Sequence, residues 1–151
     1  MFTELVRGGR GALIALCALG LLFLAGCGPK RVPAGGTVEL DGKPMEGGML
    51  YFNPNEAKGN TARVSCSSPI KGGRFELRTD GVERSESGSG VPPGWYKVTV
   101  RVNEPGEVPV FPGQPAYVIA PKYLDPEKTP LEFEVVENPG PDRYNLKITS
   151  K

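Results

Sequence analysis

Beyond residue 35 the apolar side chains fall at every second position, in short runs closed by glycine or proline. No apolar stripe of helical spacing lasts for three turns. A period of two between turn residues marks strands with one apolar face. In "TVEL" Val38 and Leu40 share a face, and Asp41-Gly42 turns the chain. "MLYF" sets Leu50 and Phe52 against Met49 and Tyr51. In "ARVSC" Ala62, Val64 and Cys66 alternate, and in "RFEL" Phe75 and Leu77 oppose Glu76 and Arg78. The clearest run is "GWYKVTVRV", with Tyr96, Val98, Val100 and Val102 on one face and Lys97, Thr99 and Arg101 on the other. "AYVI" is a short strand candidate. "LEFEVV" turns Leu131, Phe133 and Val135 inward, and "RYNLKIT" does the same with Tyr144, Leu146 and Ile148. Seven or eight such strands bury their apolar faces only by stacking two sheets, so the expected fold is an all-β sandwich. Residues 103–115 ("NEPGEVPVFPGQP") hold prolines 105, 109, 112 and 115, which exclude a central strand there.

The first 26 residues follow other rules. A mildly basic lead with Arg7 and Arg10 precedes the uncharged run "ALIALCALGLLFLAG". That run is shorter than the ~20 apolar residues that a membrane span needs. A basic lead, a short apolar helix and small residues at its exit form a secretory signal. The exit, Leu24-Ala25-Gly26-Cys27, resembles the lipobox of bacterial lipoproteins. The resemblance implies recognition by a signal peptidase at Leu24, Ala25 and Gly26, cleavage before Cys27, a diacylglycerol on its thiol and an acyl group on the new amine. Each buried CH₂ contributes about 0.8 kcal/mol, so two or three chains hold the protein at a membrane. The expected organisation is a signal over 1–26, a lipidated tether over 27–34 reaching ~20–25 Å, and a sandwich over 35–151. Gly28, rather than Asp, follows the cysteine and leaves the choice of inner or outer membrane open.

Of 18 basic and 17 acidic residues, the leader holds Arg7, Arg10 and Glu4, which leaves 16 of each sign in the exported part. A neutral surface of interspersed charge argues against nucleic acid as a partner. Cys17 departs with the leader and Cys27 takes the lipid. Cys66 remains alone, without a disulfide partner, and its place in an alternating run predicts burial.

Five pieces in order, "GTVELDGKPMEGGMLYFNP", "IKGGRFEL", "VPPGWYKVTV", "PKYLDPEKTPLEFEV" and "YNLKI", resemble the carboxypeptidase-regulatory-like group of small bacterial lipoproteins. That group is related in fold to transthyretin and the collagen-adhesin B-type repeats. The resemblance implies a single Ig-like or prealbumin-like Greek-key sandwich of about seven strands, without catalytic activity of its own. One transthyretin-like branch hydrolyses 5-hydroxyisourate with histidines, an arginine and a C-terminal Tyr-Arg-Gly-Ser segment. This chain has no histidine and ends "YNLKITSK", so none of those residues carries over.

The lack of histidine also removes Ser-His-Asp and Cys-His nucleophile systems and makes a zinc site improbable. Asp80, Glu83 and Glu86 read as a solvated acidic loop. Asp125 and Glu127 lack the repeated spacing of a calcium loop. Gly88, Gly90 and Gly94 are turn residues leading into a strand, not a phosphate loop. No catalytic residue, metal or cofactor is expected beyond the lipid on Cys27. Trp95, Tyr51 and Phe111 are the candidate contacts, since aromatic faces give large contact area at low entropy cost. The expected function is a non-enzymatic, lipid-anchored interaction or structural module of the cell envelope. The alternative is a lipoprotein that binds glycan or peptide through those three aromatics. A hydrolase built on paired carboxylates ranks third.

Overall fold

The computed structural model describes residues 31–79, 90–139 and 143–151. The leader, Leu24, Ala25, Gly26 and Cys27, and the acids Asp80, Glu83 and Glu86 with Gly88, lie outside the described residues. Nine strands form two sheets in a β-sandwich-like arrangement, and no α-helix occurs among the described residues. In the first sheet β1 (Gly35–Leu40) is central. Along one edge it pairs antiparallel with the two-residue β2 (Lys43–Pro44) and with β5 (Arg74–Glu76). Along the other it pairs parallel with β9 (Asn145–Ile148), in register Val38 to Leu146. The second sheet runs β6 (Arg78–Thr79), β4 (Cys66–Pro69), β3 (Met49–Pro54), β7 (Gly94–Arg101) and β8 (Glu132–Val135), antiparallel throughout.

The alternating pattern explains what fills the space between the sheets. Val38, Leu146, Ile148 and Phe75 point in from the first sheet; Leu50, Phe52, Cys66, Tyr96, Val98, Val100 and Val135 point in from the second. Leu131 and Phe133 are only half-buried, because β8 is an edge strand with solvent on one side. Phe52 lies at the centre, with ring centroids 5.9 Å from Phe75 in the opposite sheet, 6.1 Å from Tyr96 and 6.5 Å from Phe133. Such tilted aromatic pairs add about 0.5–1.5 kcal/mol each beyond the area they bury.

Three expectations are corrected. "AYVI" forms no strand ladder: Ala116 makes one isolated parallel bridge to Asn103, and Pro115 and Pro121 bracket the segment. The strand expected over "ARVSC" begins only at Cys66. Cys66 faces Phe52, so Val64 would face Pro54, which has no N–H to donate. Part of the supposed tether belongs to the domain. Val32 and Ala34 are buried. Val32 exchanges both backbone bonds with Val91, and the Leu77 N–H donates to the Ala34 carbonyl.

Tyr96 is buried and its hydroxyl donates to the Pro92 carbonyl at 2.8 Å. Burial pushes its phenol from 10.0 up to about 12. The unfolded chain therefore releases this proton first, and the stability it contributes is lost as pH rises from 10 towards 12. Urea midpoints across that window are expected to fall more steeply for the wild type than for Tyr96→Phe. Equal slopes would show that another group is responsible.

Candidate functional site

The three candidate aromatics do not converge. Trp95 lies at the start of β7, and Tyr51 stands midway along the same sheet, opposite Thr99. Phe111 is tied to Asn103, beyond the far end of β7. Eight residues of strand separate Trp95 from Asn103, about 25 Å. Nor is the Trp95 ring bare, because the Lys58 ammonium sits 3.9 Å above its centroid. Lys58 is in turn paired with Glu132, which accepts from the Asn55 amide at 3.1 Å. That ammonium holds the Glu132 carboxyl below its ordinary range. The cleft beside them is lined by Asn60, Arg63, Pro92 and Pro93.

At the opposite end, the proline-rich segment is a built loop. Asn103 is buried, and its amide donates to the carbonyls of Phe111 (2.7 Å) and Gln114 (3.0 Å). Its side-chain oxygen accepts from the Phe111 N–H at 2.8 Å, and its own carbonyl accepts from Tyr117 N–H. Two further bonds staple the loop to the turn before β3: Gly48 N–H to the Gln114 side-chain oxygen, and Glu46 N–H to the Tyr117 hydroxyl. This frame holds Val108, Val110 and Val118 in solvent, with Val108 90 % exposed. The side chains are thus displayed by an ordered backbone whose conformational entropy is already spent.

A groove of about 760 Å³ lies over the start of β1. Gly35 and Gly36 line its floor, and Arg74, Arg78 and Arg143 stand around it with Lys71. Glu76 is the one acid in its lining among the described residues. Arg78 reaches Glu76 at 3.9 Å, and Arg143 pairs with Glu134 at 3.1 Å. Lys71 and Arg74 are exposed and have no ion pair among the described residues.

Other candidates have structural employment. Asp125 accepts from the Glu127 N–H at 2.8 Å and pairs with Lys128, and these bonds lower its carboxyl's pKa. Cys66 is buried. Among the described residues no three His, Cys, Asp or Glu side chains gather as a metal site. No buried side-chain nitrogen or oxygen there lacks a hydrogen-bond partner. Comparison with protein-family models, with curated proteins and with solved structures gives no match.

Proposed function

We propose that the chain is a bacterial lipoprotein: a Greek-key, transthyretin-like sandwich tied by Cys27 to a membrane, acting as a non-enzymatic interaction module of the cell envelope. The observation that carries the reading is the incorporation of residues 32–34 into the sandwich. Only residues 28–31 then separate the lipid-bearing cysteine from packed structure, a reach of about 17 Å at most. A signal followed by so short a leash suits a domain whose work is done at a membrane surface.

The polarity of the domain supports the same reading. Its chain enters beside the start of β1, whereas the Asn103 loop projects from the other end, displaying valines away from the anchor. Scattered aromatics, one of them covered by Lys58, offer no continuous platform for a sugar ring. Contact through the Asn103 loop is therefore favoured over glycan binding through Trp95, Tyr51 and Phe111.

Cells fed a clickable fatty acid are expected to label the wild type and not Cys27→Ala. The variant is also expected to keep its leader. Equal labelling of the two proteins would refute the anchor.

A further inference from the structure

The chain enters the sandwich beside its one tryptophan. Val32 exchanges both backbone bonds with Val91, and Pro92, Pro93, Gly94 and Trp95 follow Val91 directly. Together with residues 58–63 they line one open cleft. We propose that this end of the sandwich, with Trp95, Pro93 and Arg63, sits in the headgroup layer of the membrane that carries the Cys27 lipid. The inference rests on the anchored reading above.

Position is the first argument. Residues 28–31 reach about 17 Å at most, and the Val32–Val91 bonds hold Pro92 and Pro93 at the end of that leash. Tilting or spinning the domain moves its other surfaces but leaves this turn where the leash ends. The Asn103 loop lies about 25 Å further along β7. Composition is the second. Pro93 is exposed, Trp95 and Ala62 are half-buried, and Lys58 and Arg63 extend into solvent around them. An indole ringed by cationic heads suits the boundary of a bilayer, where the ring lies at headgroup depth and the cations meet phosphates. No buried side-chain polar atom among the described residues lacks a partner, so the cleft aims no spare buried donor at a small ligand.

Charge is the third. Arg63 has no ion pair among the described residues, and the leash sequence itself supplies Lys30 and Arg31. Lys58 is paired with Glu132, and Glu56 is the exposed acid on the Lys58 turn. Each Lys or Arg close to an anionic surface multiplies the docked population about fivefold.

Trp95, as the chain's one tryptophan, reports its own depth. The full lipidated protein is reconstituted into vesicles of phosphatidylcholine and phosphatidylglycerol, with or without bromine on the acyl carbons nearest the headgroup. Brominated lipid is expected to quench Trp95, and acrylamide in the water is expected to quench it less than in the urea-unfolded protein. In Trp95→Phe/Val108→Trp the reporter moves to the far loop, and loss of lipid quenching is expected. Arg63→Glu keeps the native reporter and is expected to lower the docked-to-undocked ratio roughly fivefold or more. Urea midpoints check that both variants stay folded.

Flotation with the vesicles but no lipid quenching of Trp95 overturns the docking and upholds the anchor. Equal lipid quenching of both reporters shows a domain lying on its side, and also overturns it. Shielding of Trp95 from acrylamide that grows with protein density, without lipid quenching, gives this end to a second copy instead. Failure to float overturns the anchor and the docking together.

Discussion

Phe52→Ala is expected to destabilise the protein by about 3–5 kcal/mol and to lower its thermal midpoint by roughly 10–20 °C. Phe52 is 1 % exposed and sits between sheets, against Phe75 on one side and Tyr96 and Phe133 on its own. Its removal takes away both the buried ring and the aromatic contact that ties β3 to β5. The neighbours cannot close the gap, because each is fixed in its strand by a register: Phe52 faces Cys66 and Val98. A domain of this size has a net stability of about 5–15 kcal/mol, so the loss is a large part of the whole. Phe52→Leu, which keeps most of the volume, is expected to cost about 1.5 kcal/mol or less. Equilibrium urea denaturation of both variants measures the difference. A cost for Phe52→Ala no greater than that for Phe52→Leu would show that this ring does not lock the sheets.

Phe52 was legible from the sequence, and the reason shows which parts of the fold were. Its position in "MLYF" alternates with Met49 and Tyr51, and alternation is a local property that strand geometry imposes on any half-buried run. The same holds for Val38, Phe75, Leu146 and the β7 valines, all of which point inward as expected. Where partners decide the outcome, the local pattern fails. Residues 61–65 alternate as well as any strand, yet Pro54 across from them ends the ladder. Val32 looked like linker because its bonds are to Val91, far along the chain. Met45 and Ile70 are fully buried without belonging to an alternating run, since they lie just past β2 and β4, in turns at one end of the sandwich.

The candidate surfaces were less legible for the same reason. Nothing local to Asn103 distinguishes it from other loop asparagines. Its role comes from three side-chain bonds to residues eight and eleven positions away. The groove is lined by Arg74 of β5 and by Arg143 just before β9, strands that pair along opposite edges of β1. In the sequence Trp95 reads as an exposed aromatic, but Lys58 reaches its face from the turn after β3. The resulting molecule has two unlike ends. One carries the chain's entrance beside Val91 and Leu77; the other carries the Asn103 loop with its exposed valines. That asymmetry fits a module that sits on one surface and meets something else at its far side.

The parallel pairing that assembles the groove depends on one glycine, and Gly36→Ala is expected to break it. A Cβ at Gly36 would lie 2.1 Å from the Tyr144 carbonyl oxygen and 2.8 Å from its carbon. These are backbone atoms, so no side chain can rotate away; β1 and β9 have to separate. The same oxygen accepts the Thr37 N–H, and β9 has no other strand partner in its sheet. Overpacking and lost bonds together imply a cost of about 2–4 kcal/mol. Gly42 provides the comparison. A Cβ there meets nothing within 4 Å, but its φ of +79° is strained for alanine, which predicts about 1 kcal/mol. Urea denaturation ranks the two, and hydrogen exchange at the Thr37 amide shows whether the loss is local to the β1–β9 seam. Faster exchange there in Gly36→Ala, and not in Gly42→Ala, is the expected pattern. Because Asn145 reaches the groove through that seam, Gly36→Ala also disturbs that wall of the groove without changing a charge in it.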